Sequence, residues 1–415
     1  MQLSIHQTVD HLFRHESGKM IAVLSKLLGF QQLHLAEDIV QETLLKAMTA
    51  WPYNGVPDNP TAWLHRVARN KAVDLIRKEK TYRQLKPRLQ YLLQSEYTLS
   101  ATVQQFFEVE EIMDSQLSMM FACCHPSIPL ESQIALILKT LCGLNNAEIA
   151  RAFLKEEETI AKRIYRAREK IRSENISLEL PPPSQITERI SAVLHSLYLL
   201  FNEGYNSSHP EQLIREELCE EAMRLAYLLT KHHSTNGTRT HALLALFCFQ
   251  ASRLNARLDD RGNIILLKYQ DRSLWYKPLI SQGNHFLELA TQEETSVYHL
   301  EAAIAWLHAT APDFESTNWH AIYHLYGILS RHHPSDIISL NKAIAASYAI
   351  DRKTALAELE EIRGLDNNHL YHTALGEVYF DEGRNNEARQ CFQKALNLAI
   401  NLPEQQLLRN KLEGC

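Results

Sequence analysis

Apolar residues recur every three or four positions along most of this 415-residue chain and almost nowhere alternate, which predicts an all-α protein. The spacing is clear between residues 36 and 51. Val40, Leu44, Ala47 and Trp51 fall on one helical face, and Asp38, Gln41, Glu42 and Leu45 fall on another. An apolar Leu45 within an acidic face points to a protein partner. A solvated helix with one stray leucine is the plain alternative.

A turn-rich stretch, PYNGVPDN, ends at Asn59, which fits an N-cap, and Pro60 fits the first helical position. In the helix that follows, Leu64, Ala68, Ala72 and Leu75 form an apolar stripe, while Arg66, Asn70, Asp74 and Arg77 line the opposite side. From Thr61 to Gln90 there are nine Lys or Arg against two acids, Asp74 and Glu79. With Trp63 near its start, this helix has the composition to meet phosphates and unstacked bases. On charge alone it could equally be a solvated face.

The helical pattern returns from Ser115 to Arg172. A helix over Ala147–Phe153 would bury Ile149, Ala150 and Phe153, and a turn follows at Leu154-Lys155. A second helix would turn Ile160, Ile164, Ala167 and Ile171 inward and Lys162, Arg163, Arg166 and Lys170 outward. That is a helix-turn-helix with a basic recognition face. Thr159, Lys162, Arg163 and Arg166 are the residues expected to reach bases, with Arg168 and Arg172 on phosphates or packed nearby.

The order acidic helix, loop, tryptophan-led basic helix resembles region 2 of the extracytoplasmic-function (ECF) sigma factors of bacterial RNA polymerase. The strings that carry it are AEDIVQE at 36–42 and AWLHRVARNKAVD at 62–74. The resemblance implies that Asp38, Gln41, Glu42 and Leu45 dock on core RNA polymerase. It also implies that Trp63, Arg66, Asn70 and Arg77 capture the melted −10 element of promoter DNA. The stretch Leu141–Arg172 resembles region 4, the −35 reader, with two departures. Leu154 stands where Gly is usual in the turn, and Glu156, Glu157 and Glu158 open the recognition helix, where they suit its dipole but repel phosphate.

The implied organisation is region 2 over 1–83, a linker over 84–112 with Tyr91, Tyr97, Phe106 and Phe107 as anchors, and region 4 over 113–175. A Pro-rich linker covers 176–185, with Pro181-Pro182-Pro183 as a stiff spacer, and a helical extension covers 186–415. Its first helix, over 186–201, leads into FNEGY, where Gly204 suits a C-terminal cap. Leu375, Gly376, Tyr379, Ala388, Phe392 and Ala395 stand at the spacing of a tetratricopeptide repeat. The extension therefore reads as tetratricopeptide-like helical hairpins, either a packing scaffold or a groove for a partner.

FNEGY at 201–205, QDRSLW at 270–275, AAIAWLHA at 302–309 and SLNKAIA at 339–345 resemble strings of an ECF subgroup with such an extension. In that subgroup the extension is regarded as a built-in regulatory module, which implies an intramolecular contact with the sigma regions. Asn202, Glu203, Tyr205, Asp271 and Arg272 are its candidate residues, with buried structural contacts an equal reading.

Charge agrees with this division of labour. The net charge is −6, yet residues 1–180 carry 22 Lys/Arg against 21 Asp/Glu, and the remainder 21 against 28. Nucleic-acid binding is thus expected in the first part, at two local basic helices. The polar first residues show no signal core, and the longest apolar run, Ala242–Phe249, is too short to span a bilayer. Seven scattered cysteines fit reduced thiols in the cytoplasm. Cys123-Cys124-His125 is poorly spaced for one metal ion, and no phosphate cradle or nucleophile–base pair stands out. No cofactor, metal, membrane or enzymatic role is expected. The alternative function is a helix-turn-helix regulator with a helical sensor, which leaves residues 36–77 without a task.

Overall fold

The structure, a computed structural model, describes residues 5–77, 103–153, 155–207, 209–210, 212–291 and 295–415. Leu154 and most of the expected linker, including Pro87, Tyr91 and Tyr97, lie outside the described residues. Within them the protein is all-α, with short 3₁₀ turns and one extended pairing, between Leu258 and Ile264. No described helix is long and apolar enough to cross a membrane.

The helices gather into two compact units, Met1–Phe201 with Glu220–Thr235, and Asn202–Cys219 with Asn236–Cys415. The first unit opens with α1 (Ile5–Leu28), α2 (Leu33–Asn54) and α3 (Pro60–Arg77). Val40, Leu44, Ala47 and Trp51 are buried on α2, and Leu64, Ala68 and Ala72 on α3, as their spacing requires. Leu75 is half-buried, and Val67, Val73 and Ile76 complete the inner face. Asn59 caps α3, its Oδ1 accepting from the Ala62 amide at 2.9 Å. Glu16, buried on α1, joins α1 to α3 through His65 Nε2 at 2.9 Å and also takes Lys19 Nζ at 2.8 Å. Burial alone pushes the Glu16 carboxyl up, and the hydrogen bonds from His65 and Lys19 outweigh it and hold it below the ordinary value.

Four further helices follow: α4 (Val109–Cys123), α5 (Leu130–Thr140), α6 (Asn146–Ala152) and α7 (Glu157–Ser173). Gly18 of α1 meets the α5 end so closely that a Cβ there would lie 2.0 Å from the Leu141 carbonyl oxygen. The Gly18→Ala variant should therefore unfold at least about 2 kcal/mol more easily, since backbone rather than a movable side chain would have to yield. A urea titration checks this.

The prolines do not mark the division between units. Helix α8 (Pro183–Tyr205) starts at Pro183, and Arg189 on it donates to the Phe121 carbonyl of α4 at 3.1 Å. On α9 (Glu216–Leu229), Arg224 donates to Gln116 Oε1 of α4 at 3.1 Å and to both oxygens of Glu221. Gly204 is not the expected cap. It lies inside α8, where a Cβ would come within 2.7 Å of the Cys219 amide nitrogen, so the glycine serves close packing instead of a chain reversal.

The second unit continues with α10 (Thr238–Ala251), α11 (Lys277–Ala290), α12 (Val297–Thr310), α13 (Trp319–His332) and α14 (Asp336–Ala349). It ends with α15 (Arg352–Glu361), α16 (His369–Asp381), α17 (Asn385–Leu398) and α18 (Leu402–Gly414). Consecutive helices pack as neighbours. In the α16/α17 hairpin Gly376 faces Phe392 so closely that a Cβ would sit 2.5 Å from the ring, which is why a residue without a side chain stands there.

Candidate nucleic-acid interface

The outer face of α2 carries Asp38, Gln41, Glu42 and Leu45, all exposed, with Leu45 59% accessible. Met48 and Tyr53 prolong the apolar part along the helix, and Val56 lies just past its end. Reading the sequence singled out Leu45 but missed Met48, although the interval of three was a usable signal. Glu42 is engaged by Lys71 of α3, which leaves Asp38 as the unshared acid of the four.

On α3, Arg66, Asn70 and Arg77 are exposed along one side, and Arg77 lies 3.8 Å from Asp74. Trp63 is half-buried, its ring edge-on to Trp51 at 5.4 Å and 64°. That contact fixes one side of the indole and leaves the other bordering a cleft of about 450 Å³. His65, Arg66, Arg69, Asn59 and Phe107 share the cleft with Trp63. Phe107 stacks tilted against His65 at 5.6 Å. Aromatic surface beside two guanidinium groups is suited to an unstacked base and its phosphate. Arg69 was not a sequence candidate, and Phe107 was expected only as an anchor of the linker, because the fold and not the spacing brings it beside Trp63.

The helix-turn-helix is α6 and α7. Asn145 caps α6 in a capping box, accepting from the Glu148 amide at 2.8 Å while Glu148 accepts from the Asn145 amide at 2.7 Å. Ile149, Ala150, Ile160, Ile164, Ala167 and Ile171 are buried as expected, whereas Phe153 is only half-buried. The α7 outer face presents Lys162 and Arg166, with Thr159 partly accessible at its start. Lys162 pairs with Glu158 at 2.7 Å, so the opening acids do restrain one basic residue. Tyr165, 65% exposed on this face, was missed. Arg163 is placed differently from the other three. Its side chain is 17% exposed, paired with Glu131 of α5, and lies over the Phe153 ring at 5.8 Å.

The two parts of the first unit are tied together. Arg168 Nη2 of α7 bridges both oxygens of Glu37 on α2, at 2.6 and 2.8 Å. Gln31 donates to the Ile176 carbonyl at 3.0 Å, and Lys26 pairs with Glu111 at 2.9 Å. Burial raises the Glu37 carboxyl above its ordinary value, more than Arg168 and Lys139 lower it.

Cys123 and Cys124 are fully buried, and burial pushes the Cys123 thiol up to about 12, so it is not a thiolate near neutrality. Among the described residues no three His, Cys, Asp or Glu are disposed to hold a metal.

In the second unit, Glu203 is buried beside Arg215 at 3.7 Å and accepts from Ser207 Oγ at 3.2 Å. Asn202 is exposed. Tyr205 accepts from Arg253 Nε through its hydroxyl, and Arg257 stacks over its ring at 3.9 Å. Asp271 is exposed and accepts from the Ser273 amide at 2.8 Å, and hydrogen bonds from the Ser273 side chain and then this amide hold its carboxyl below the ordinary value. Arg272 donates to the carbonyls of His308 and, at 2.9 Å, Ala311, and lies over Trp275 at 4.5 Å.

Comparison with known proteins matches residues 12–82 to Sigma-70 region 2 and residues 118–171 to Sigma-70 region 4. Residues 189–291 match a family of unknown function, DUF6596. An uncharacterized protein of Rhizobium meliloti is 35% identical over 96% of this chain and 94% of its own length. The ECF RNA polymerase sigma factor SigE of Mycolicibacterium smegmatis is 27% identical over 39% of this chain and 60% of its own. No solved structure matches.

Proposed function

Since the chain belongs to the sigma-70 family of RNA polymerase sigma factors, we propose that it is of the ECF type and that its C-terminal extension regulates it. In this reading the outer face of α2 docks on core polymerase, the α3 cleft takes an unstacked base of the −10 element, and α7 enters the −35 major groove. The observation that carries it is the order of surfaces within one compact unit. An exposed acidic–apolar face is followed by a tryptophan-walled basic cleft and then by a capped helix-turn-helix with Lys162 and Arg166 outward. A helix-turn-helix regulator needs only the third of these. Run-off transcription with purified core polymerase on a library of promoter fragments tests the reading, and a sequence-defined start site is the expected result.

Three variants refine it. Asp38→Ala with Leu45→Ala should weaken capture of core polymerase roughly tenfold or more without altering the melting curve, because both side chains are exposed. Arg166→Ala should cost about 1–3 kcal/mol of binding to duplex −35 DNA if it pairs with a base. Arg163→Ala should instead show most of its effect in stability, since Glu131 and Phe153 hold that side chain. Equal losses of DNA affinity with unchanged stability in both would assign Arg163 to the groove as well.

A further inference from the structure

Two of the four sequence strings of the extension line one cavity of the second unit, and a third supports it from behind. It has a volume of about 170 Å³, and its walls include Arg253, Trp275, His308, Tyr326 and Gln250. Trp275 comes from QDRSLW, His308 from AAIAWLHA, and Tyr205 of FNEGY holds Arg253 through its hydroxyl. The lining residues include no Asp or Glu.

The polar groups of this cavity are not used up by the fold. Trp275 is only 2% exposed, yet its indole Nε1 has no hydrogen-bond partner, and neither has the buried Nδ1 of His308. A buried polar atom without a partner is costly, and two of them on the walls of one cavity leave room for a polar occupant. The same residues are held firmly from behind. Arg272 lies over the Trp275 ring, which holds the indole, and donates to the His308 backbone carbonyl, which anchors the helix end that carries the imidazole. The charges felt at His308 are positive, whereas Tyr326 also feels Glu301. Burial first, then Arg253 and Arg272, push the His308 imidazole down to about 3. Burial also pushes the Tyr326 phenol up, so its hydroxyl stays protonated.

We propose that this cavity binds a small oxyanion, a carboxylate or phosphate of few heavy atoms, held by Arg253, the Trp275 Nε1–H and His308. The guanidinium supplies the charge, the indole a directed donor, and the imidazole a second polar contact. A cation finds no carboxylate on these walls. A neutral solute would make no use of the Arg253 charge. Water is the competing occupant, because the volume holds several molecules at roughly 30 Å³ each.

The test uses the full-length chain with ¹⁵N-labelled tryptophan, and the Trp275 indole resonance is assigned with Trp275→Phe. Acetate, inorganic phosphate and the neutral isostere acetamide are titrated at constant ionic strength in chloride. A saturable shift of the Trp275 signal with acetate or phosphate, and none with acetamide, is expected. Which anion binds more tightly separates the carboxylate from the phosphate source. Arg253→Gln should weaken that binding at least about tenfold, with its own unfolding curve as the control for folding. The wild-type comparison of acetate with acetamide stands even if that variant unfolds. No saturable shift with either anion, an equal shift with acetamide, or undiminished binding in a folded Arg253→Gln would overturn the site and leave water as its occupant. That occupancy affects transcription rests on the regulatory reading above. Saturable binding with unchanged run-off would refute that reading alone, while absent binding refutes the site alone.

Discussion

A chain ending after Leu180 will lose promoter-specific transcription, whereas a chain ending after Thr235 will keep its first unit folded. The reason lies in α8 and α9. Ile186, Val193, Leu194 and Leu197 on α8 and Ala222, Leu225 and Ala226 on α9 are buried. Up to Phe201 and from Glu220, these helices belong to the same compact unit as the sigma regions. Each large aliphatic side chain among them contributes about 1.5–3 kcal/mol by leaving water. Whole-domain stabilities are only about 5–15 kcal/mol, so losing four or five such side chains removes most of that margin. Arg189 and Arg224 would also leave the Phe121 carbonyl and the buried Gln116 without their hydrogen bonds. Circular-dichroism melts and run-off assays of the 1–180 and 1–235 chains measure both effects. Full activity of the 1–180 chain would show that α8 and α9 are dispensable to the sigma regions.

The Arg168→Ala variant will be destabilised by about 3 kcal/mol, while Glu37→Gln will change stability by less than about 1 kcal/mol. The asymmetry follows from burial. Glu37 is 14% exposed, and desolvation already outweighs Arg168 in setting its proton affinity. Removing the arginine strands a buried carboxylate, whereas removing the carboxylate charge leaves an arginine that is 31% exposed and can turn to solvent. The double variant should therefore be more stable than Arg168→Ala alone. The pH dependence has a definite sign. The folded-state pKa of Glu37 lies above its unfolded value, so the folded form binds the proton more tightly. The Glu37 contribution thus becomes more favourable as pH falls through that raised pKa. Arg168→Ala should recover part of its loss in mildly acidic urea titrations, and a loss that instead deepens there would contradict the burial argument.

Periodicity alone placed the inner faces of α2, α3 and α7, because each has a clean apolar stripe facing one core. Exposure of Asp38, Leu45, Arg66, Asn70 and Arg166 followed from the same stripes. What could not be read was anything set by tertiary neighbours. Arg163 has outward spacing on α7, yet Glu131 of another helix claims it. Gly204 has the residue type of a cap, yet it serves the approach of Cys219. Tri-proline reads as a boundary, yet the helix it starts packs back on α4. Phe107 joins the Trp63 cleft across a stretch whose sequence has no helical period. The oxyanion cavity was legible only as separate strings, since nothing in the spacing of Tyr205, Trp275 and His308 announces that they converge.

The central claim is that the Trp63 cleft captures a base from opened promoter DNA in complex with core polymerase. Permanganate reactivity of thymines around the −10 element, probed with core polymerase and the full chain, measures this directly. The account predicts reactive thymines with the wild-type chain and little reactivity with Trp63→Ala, at equal occupancy of duplex −35 DNA. Undiminished reactivity with Trp63→Ala, or no reactivity with the wild-type chain at a promoter it transcribes, would contradict it.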